Sequence, residues 1–436
     1  MTARKGERYS LGKLIVQGGT PLEGRVSISG AKNATLAVMA AAMMGCGETI
    51  LENIPNIVDV EVMMELCREL GGEANWLEPG TIRMVLPDSA SCKTSYTLAK
   101  KLRASNLLLG ALIGRFGWAE VALPGGDNIG SRPMDLHIKG LYCLGAELKV
   151  EHGYIRGGVI GGGKRLTGNK VYLDFPSVGA TENIMMAAVL AKGQTIIENC
   201  AKEPEIVDLA NFLNAMGGRV RGAGTDLIRI DGVQRLEGVR YAVIPDRVEA
   251  GTYMVAAAAT RGRVIVENVI PTHLHALSAK LREMGVTVEE EDDQVLVDGR
   301  GEFRPVDIKT MPYPGFPTDM QSQLMALLAS VSGTSMIVEN VYENRLRVVD
   351  ELQRMGAQIK IEGRTAIIDG TSELTGAQVK ATDLRAGAAL IIAGLIAEGE
   401  TEVSCMYHVD RGYEHLEEKL RSLGAKVRRV ESSSKA

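Results

Sequence analysis

Hydrophobic and polar positions follow one scheme that recurs along the chain. A short strand pattern marks each copy: GETILEN, GQTIIEN, GRVIVEN and GTSMIVEN begin at Gly47, Gly193, Gly262 and Gly333, with weaker copies GWAEVAL from Gly117 and GETEVSC from Gly399. Successive glycines lie 70, 76, 69, 71 and 66 residues apart, a regularity that identifies six internal repeats. An amphipathic helix follows and ends at glycine: Leu274, Leu277, Leu281 and Met284 precede Gly285, and Leu346, Val349, Leu352 and Met355 precede Gly356. This spacing puts one apolar stripe on the core and a glycine at the helix C-terminus. Related endings stand at Gly71, Gly145, Gly217 and Gly424, and strands such as AELKVE and AQIKIE come next.

Ahead of each repeat strand lies a second helical pattern, apolar nearly all round: ATLAVMAAAMM, SNLLLGALIG, ENIMMAAVLA, GTYMVAAAA, QSQLMALLAS and GAALIIAGLIA. A helix apolar on every side belongs inside a domain. The fold class expected is therefore α/β, with buried helices surrounded by sheets and outer helices, three units to a domain. The boundaries expected are residues 1–31 plus 245–436, the N-terminal strand completing that domain, and residues 32–244.

Composition narrows the function. The chain has 436 residues, 50 glycines and only 4% aromatic residues, which suits tight turns and argues against a base-stacking surface for nucleic acid. A formal net charge of -5 disfavours general attraction to polyanions or anionic lipid, so an anionic ligand needs a local cluster of cations. MTARKGERYS has no apolar segment after it, and no apolar run reaches membrane-spanning length, so a cytoplasmic protein is expected. The six cysteines lack CxxC pairing and the six histidines lack zinc-ligand spacing.

Counting back 14 or 15 residues from the repeat glycines reaches the start of each buried helix, at Lys32, Arg103, Gly179, Arg247, Asp319 and Arg385. Four of the six are cations, placed where free backbone N–H groups and the helix dipole already favour an anion. The plainer reading makes them surface ion-pair partners; their recurrence at one repeat position favours the anion site. The segment PGGDNIGSRPMDLH, residues 124–137, carries an acid, Asp127, and a fork-shaped cation, Arg132, in a glycine-rich stretch suited to closing over a ligand. His137 reads equally well as a ligand contact or a structural group. GVIGGGKR, residues 158–165, mimics a phosphate loop, but Arg165 replaces the required Ser or Thr, and a hairpin turn is expected. The run EEEDD, residues 289–293, reads as a solvated turn.

SGAKNA from Ser29, RAS from Arg103, PGGxxIGxRPxDLH, SVGAT from Ser177, FPTDMQ from Phe316, TDLRA from Thr382 and YHVDRGYE from Tyr407 together resemble the UDP-N-acetylglucosamine enolpyruvyl transferase family. The resemblance runs in order from about residue 13 to residue 430. It implies two inside-out α/β barrels that close over phosphoenolpyruvate and UDP-N-acetylglucosamine, with the PGG segment as lid. It implies no metal or organic cofactor, and it is silent on oligomeric state. By resemblance, Lys32, Asn33, Arg132 and Arg411 hold phosphoenolpyruvate. The sugar nucleotide falls to Arg103, Arg132, Pro133, Met134, Asp135, Leu136, Ser177, Val178, Gly179, Asp319 and the backbone of Val341, and Arg385 joins the closed site. Asp319 is the expected base for the acceptor hydroxyl.

Two departures stand out. The family's loop commonly has a cysteine proton donor where this chain has Asp127, so resistance to the epoxide fosfomycin, which alkylates that cysteine, is expected. Some members carry a lysine where this chain has Phe175. Two other enzymes use related units, one transferring enolpyruvate to 3-phosphoshikimate and one cyclising RNA phosphates. The first lacks the PGGxxIGxRP loop, and the second calls for a basic surface and a nucleophilic histidine. A non-catalytic sensor of nucleotide sugar would lack Asp127 or Asp319.

Overall fold

The computed structural model describes residues 12–370 and 373–431, so MTARKGERYS lies outside it. The chain divides into two units, each with its own hydrophobic core. Unit 1 takes the chain up to Ser29, Asn128–Ser131 and the chain from Pro245; unit 2 takes Gly30–Asp127 and Arg132–Ile244.

One sheet serves as pattern for all. Arg263–Glu267 pairs in parallel with Glu23–Ser27 on one side and antiparallel with Gln294–Asp298 on the other, which pairs in turn with Thr287–Glu290. The strands Thr49–Glu52, Gln194–Glu198 and Thr334–Val338 each hold the same place, with a parallel neighbour and an antiparallel hairpin. Glu400–Ser404 does likewise, but Gly12–Gln17, from the far end of the sequence, is its antiparallel neighbour and itself pairs with Lys426–Glu431. The sheet of Trp118–Ala122 has three strands; its parallel partner is reduced to a single bridge between Lys93 and Glu120.

The Glu-Asn ending of the repeat strand has a physical cause. Asn53, Asn199 and Asn268 sit at φ of 56°, 54° and 56°, the left-handed region that asparagine tolerates better than most residues. Each then donates its side-chain amide to the end of the parallel neighbour: Asn53 to the Val243 carbonyl at 2.9 Å, Asn199 to Leu173 at 2.7 Å, and Asn268 to Ile28 at 2.6 Å. One residue type thus turns the chain and fastens the sheet edge.

The apolar helices are buried as expected. In Lys32–Ala42, Val178–Val189 and Leu384–Ile396 nearly every side chain is covered, and their alanines and glycines let neighbouring helices approach closely. Gly110 shows the constraint, since a Cβ there would lie 2.3 Å from the Asn183 carbonyl oxygen. The amphipathic helices His275–Met284 and Val348–Arg354 bury Leu277, Leu281 and Met284, and Val349 and Leu352.

One sequence expectation needs correction. GVIGGGKR is not a hairpin turn, because the strand Tyr154–Val159 pairs in one sheet and Lys170–Tyr172 in another. The segment is a connection between sheets. Arg165 directs it by donating to the carbonyls of Leu190, Ala191 and Val233 at 2.8, 3.0 and 2.8 Å.

Candidate active site

All six positions reached by counting back lie at helix starts. Lys32 and Arg247 open the helices Lys32–Ala42 and Arg247–Ala259. Arg103 and Asp319 lie in the 3-10 turns Arg103–Asn106 and Thr318–Met320 that lead into buried helices, and Gly179 and Arg385 are second residues of theirs.

In unit 2, Lys32 is buried and its ammonium lies 3.0 Å from Asp59, which is 1% exposed. This ion pair is internal rather than on the surface, so Asp59 orients the cation, a role that no sequence signal announced. Asn33, next in the helix, is exposed. The PGG segment is anchored through its main chain. Arg132 Nη2 donates to the Asp127 carbonyl oxygen at 2.7 Å, and Arg103 Nη2 donates to the Arg132 carbonyl oxygen and lies 3.9 Å from Met134 Sδ. Pro133 and Asp135 are exposed, Leu136 is half-buried, and Met134 is buried.

His137 is buried behind this segment. Its Nδ1 lies 2.8 Å from the Asn183 amide nitrogen, and Asn183 also donates to the Asn106 carbonyl oxygen at 3.1 Å. Burial, reinforced by Arg103, pushes the imidazole down to about 3, so the ring is neutral at ordinary pH. With Nδ1 accepting from the amide, the proton sits on Nε2. Gly179 is small for the same reason: a Cβ there would stand 3.1 Å from His137 Cε1. Ser177 caps the helix, accepting from the Ala180 N–H at 3.3 Å, with Val178 and Gly179 half-buried beside it. Phe175 is 50% exposed two residues earlier.

In unit 1, Asp319 is the centre of a cation cluster. Its Oδ1 accepts from Arg345 Nη2, and its Oδ2 from Arg385 Nη2 at 3.0 Å and Nε at 3.3 Å. Burial alone would push this carboxyl up, but Arg345, Arg385 and Arg247 outweigh it and hold the group well below the usual carboxylate range. Arg411 is buried at the end of the short helix Tyr407–Asp410. Val341 already gives its N–H to Glu339 at 2.7 Å, so its backbone offers a ligand the carbonyl oxygen. Asn128–Ser131, the middle of the PGG segment, belongs to this unit. There the Ser131 N–H donates to Glu343 at 2.8 Å and the Asn344 N–H to the Ile129 carbonyl at 3.1 Å. No sequence signal gave ENR, residues 343–345, a role.

Comparison with known proteins identifies the family. The family model for EPSP synthase (3-phosphoshikimate 1-carboxyvinyltransferase) matches residues 16–420. The chain is 56% identical over 417 residues to UDP-N-acetylglucosamine 1-carboxyvinyltransferase 1 of Caldanaerobacter subterraneus subsp. tengcongensis, covering 96% of this chain and 99% of that one. It is also 56% identical over 420 residues, with the same coverage, to UDP-N-acetylglucosamine 1-carboxyvinyltransferase 2 of Carboxydothermus hydrogenoformans. Among solved structures, the enolpyruvyl transferase NikO from Streptomyces tendae matches with a TM-score of 0.87 at 26% identity, over 97% of this chain and all of that one. EPSP synthase from Acinetobacter baumannii matches in fold, with a TM-score of 0.74 at 19% identity over 97% of this chain and 100% of that one. The α/β fold expected from the resemblance is the one these transferases share. The chain belongs to the enolpyruvyl transferase family, in the branch of the UDP-N-acetylglucosamine 1-carboxyvinyltransferases.

Proposed function

We propose that the chain transfers the enolpyruvyl group of phosphoenolpyruvate to the 3'-hydroxyl of UDP-N-acetylglucosamine and releases phosphate, the first committed step of peptidoglycan precursor synthesis. The observation that carries this is 56% identity, end to end, with enzymes named for that reaction. The reaction is an addition followed by an elimination. Asp127 gives a proton to the methylene carbon, the sugar oxygen bonds to the neighbouring carbon, and Asp319 receives the hydroxyl proton. The methyl group then returns a proton, the double bond re-forms, and phosphate leaves with the electron pair of the C–O bond.

Lys32, Asn33, Arg132 and Arg411 serve the phosphate and carboxylate of phosphoenolpyruvate. Charge developing beside a phosphate is stabilised by cations already fixed in place, and Lys32, held by Asp59, is fixed in that sense. Arg103, Arg132–Leu136, Ser177–Gly179, Asp319 and the Val341 carbonyl serve the sugar nucleotide, and Arg385 completes the set. PGG is the closing segment. Among the described residues no helix is long and apolar enough to cross a membrane, which is compatible with the cytoplasmic location proposed.

A coupled assay tests the reading. Phosphate release from phosphoenolpyruvate should depend on added UDP-N-acetylglucosamine, and its absence at saturating concentrations of both would overturn the proposal.

A further inference from the structure

Arg411, which the functional reading gives to phosphoenolpyruvate, stands at the end of a helix of only four residues, Tyr407–Asp410. One turn of helix does not hold itself in water, because nucleating it fixes several residues for a single hydrogen bond. Its entry is also fastened differently from those of three other copies. Cys405 takes the left-handed turn, at φ of 59°, where Asn53, Asn199 and Asn268 stand elsewhere, and a thiol has no amide to give the neighbouring strand. Ser404 Oγ reaches that strand instead, at the Val379 carbonyl, 3.0 Å away.

The turn is held from two other elements. On its apolar side Val409 is fully buried against Gly387 of the helix Leu384–Ile396, where a Cβ on Gly387 would lie 2.5 Å from Val409 Cγ2. On its polar side Asp410 lies in the fork of Arg429, from the strand Lys426–Glu431: Nη1 donates to Oδ2 at 2.8 Å and Nη2 to Oδ1 at 2.6 Å. A two-point pair fixes direction as well as distance. Glu417, from the helix Leu416–Ser422, adds a second anion 3.1 Å from Arg429 Nε. The Asp410 and Arg429 side chains are 11% and 24% exposed, so salt and solvent do little to loosen the pair. Burial pushes the Asp410 carboxyl up and Arg429 opposes the rise, so the fork also keeps the carboxylate charged. Arg411, itself buried, is the next residue in the chain.

We infer that Arg429 is a positioning residue for the reaction: through the Asp410 carboxylate it fixes the turn that aims the Arg411 guanidinium, and so governs capture of phosphoenolpyruvate without touching it. The inference rests on the enolpyruvyl-transfer reading. A cation fixed beforehand gives its full attraction to an arriving anion, whereas one that must first be ordered spends part of it on the ordering. Lysine in place of Arg429 would keep the positive charge yet meet Asp410 at a single point, leaving the turn free to swing.

Steady-state kinetics with each substrate varied in turn, beside thermal melting, test this. Arg429→Lys should raise KM for phosphoenolpyruvate about tenfold while KM for UDP-N-acetylglucosamine stays within about twofold of wild type. Asp410→Asn should do the same, and it repeats the test if the lysine variant does not fold. Combining the two should cost no more than either alone, and on an Arg411→Lys background the Arg429→Lys effect should shrink to less than about twofold. A merely structural role would lower the melting temperature and disturb both substrates alike. An unchanged KM for phosphoenolpyruvate in a folded variant, an equal rise for both substrates, or an effect undiminished on the Arg411→Lys background overturns the inference. Wild type that turns over normally while the variants keep its constants refutes the positioning role alone; wild type with no turnover refutes the functional reading and the inference with it.

Discussion

Arg132 Nη2 donates to the Asp127 carbonyl oxygen at 2.7 Å, so the fork-shaped cation and the acid of the PGG segment are fastened together through the main chain. Arg103 holds Arg132 in the same way, by its carbonyl oxygen. The acid's backbone is therefore placed by the residues assigned to the substrates.

That placement makes Asp127 the informative departure. A carboxylate is a far weaker nucleophile than a thiolate, so the wild type should resist time-dependent inactivation by fosfomycin. Three of the thiols are poor substitutes: burial pushes Cys67 up to about 12 and Cys200 up to about 11, and raises Cys92 as well. Asp127→Cys should become sensitive. Since the reference values are about 3.9 for Asp and about 8.5 for Cys, the variant's activity optimum should also move upward in pH. Rapid irreversible inactivation of the wild type, or an active Asp127→Cys that stays resistant, would contradict the assignment.

His137 titrates in the unfolded chain near its ordinary value but stays neutral when folded, its imidazole pushed down to about 3 by burial and Arg103. A base with a lowered folded value stabilises the fold above about pH 6.5, and the contribution is lost as pH falls below it. His137→Gln should flatten this slope, recovering about 2 kcal/mol at pH 5 relative to pH 8 in denaturant titrations. Sugar-nucleotide affinity should show no step near pH 6.5 arising from this residue. An affinity step that His137→Gln abolishes would mean that the ring titrates in the folded protein.

Asp208 carries the opposite sign. Burial pushes its carboxyl up to about 6, against the Tyr241 hydroxyl that donates to it at 2.7 Å and with Glu205 adding to the rise. Its stabilisation is complete below the unfolded value and is lost as pH rises through about 6. Asp208→Asn should therefore gain stability at neutral pH relative to pH 4, by about 3 kcal/mol at most. A wild-type stability profile unchanged in slope between pH 4 and pH 7 after the substitution would contradict this.

The repeat was legible because one physical job recurs in every copy. Ala-rich helices apolar on all sides have to be buried, and Asn53, Asn199 and Asn268 repeat because each must turn left-handed and reach a neighbouring strand. Lys32, Arg103, Arg247, Asp319 and Arg385 were found through spacing alone, since helix starts fall at a fixed distance from the repeat glycine. Partners that answer them from elsewhere in the chain were not legible. Asp59 lies in the first turn of an acidic, amphipathic helix, and Arg345 stands in a polar turn where arginine is ordinary; only the folded chain brings them to Lys32 and Asp319. GVIGGGKR was misread because Arg165 finds its carbonyl partners 25, 26 and 68 residues away.

The acceptor decides the central claim. The family model bears the description of a 3-phosphoshikimate enzyme, whereas the relatives at 56% identity are named for UDP-N-acetylglucosamine. Measuring kcat/KM for phosphate release with each acceptor, beside identification of the product by mass, separates the two directly. The account predicts turnover with UDP-N-acetylglucosamine and formation of its 3'-enolpyruvyl ether, with activity on 3-phosphoshikimate lower by about three orders of magnitude or more, because polar groups built for one acceptor stay unpaired with the other. Equal or greater activity with 3-phosphoshikimate, or no enolpyruvyl ether of the sugar nucleotide, would contradict it.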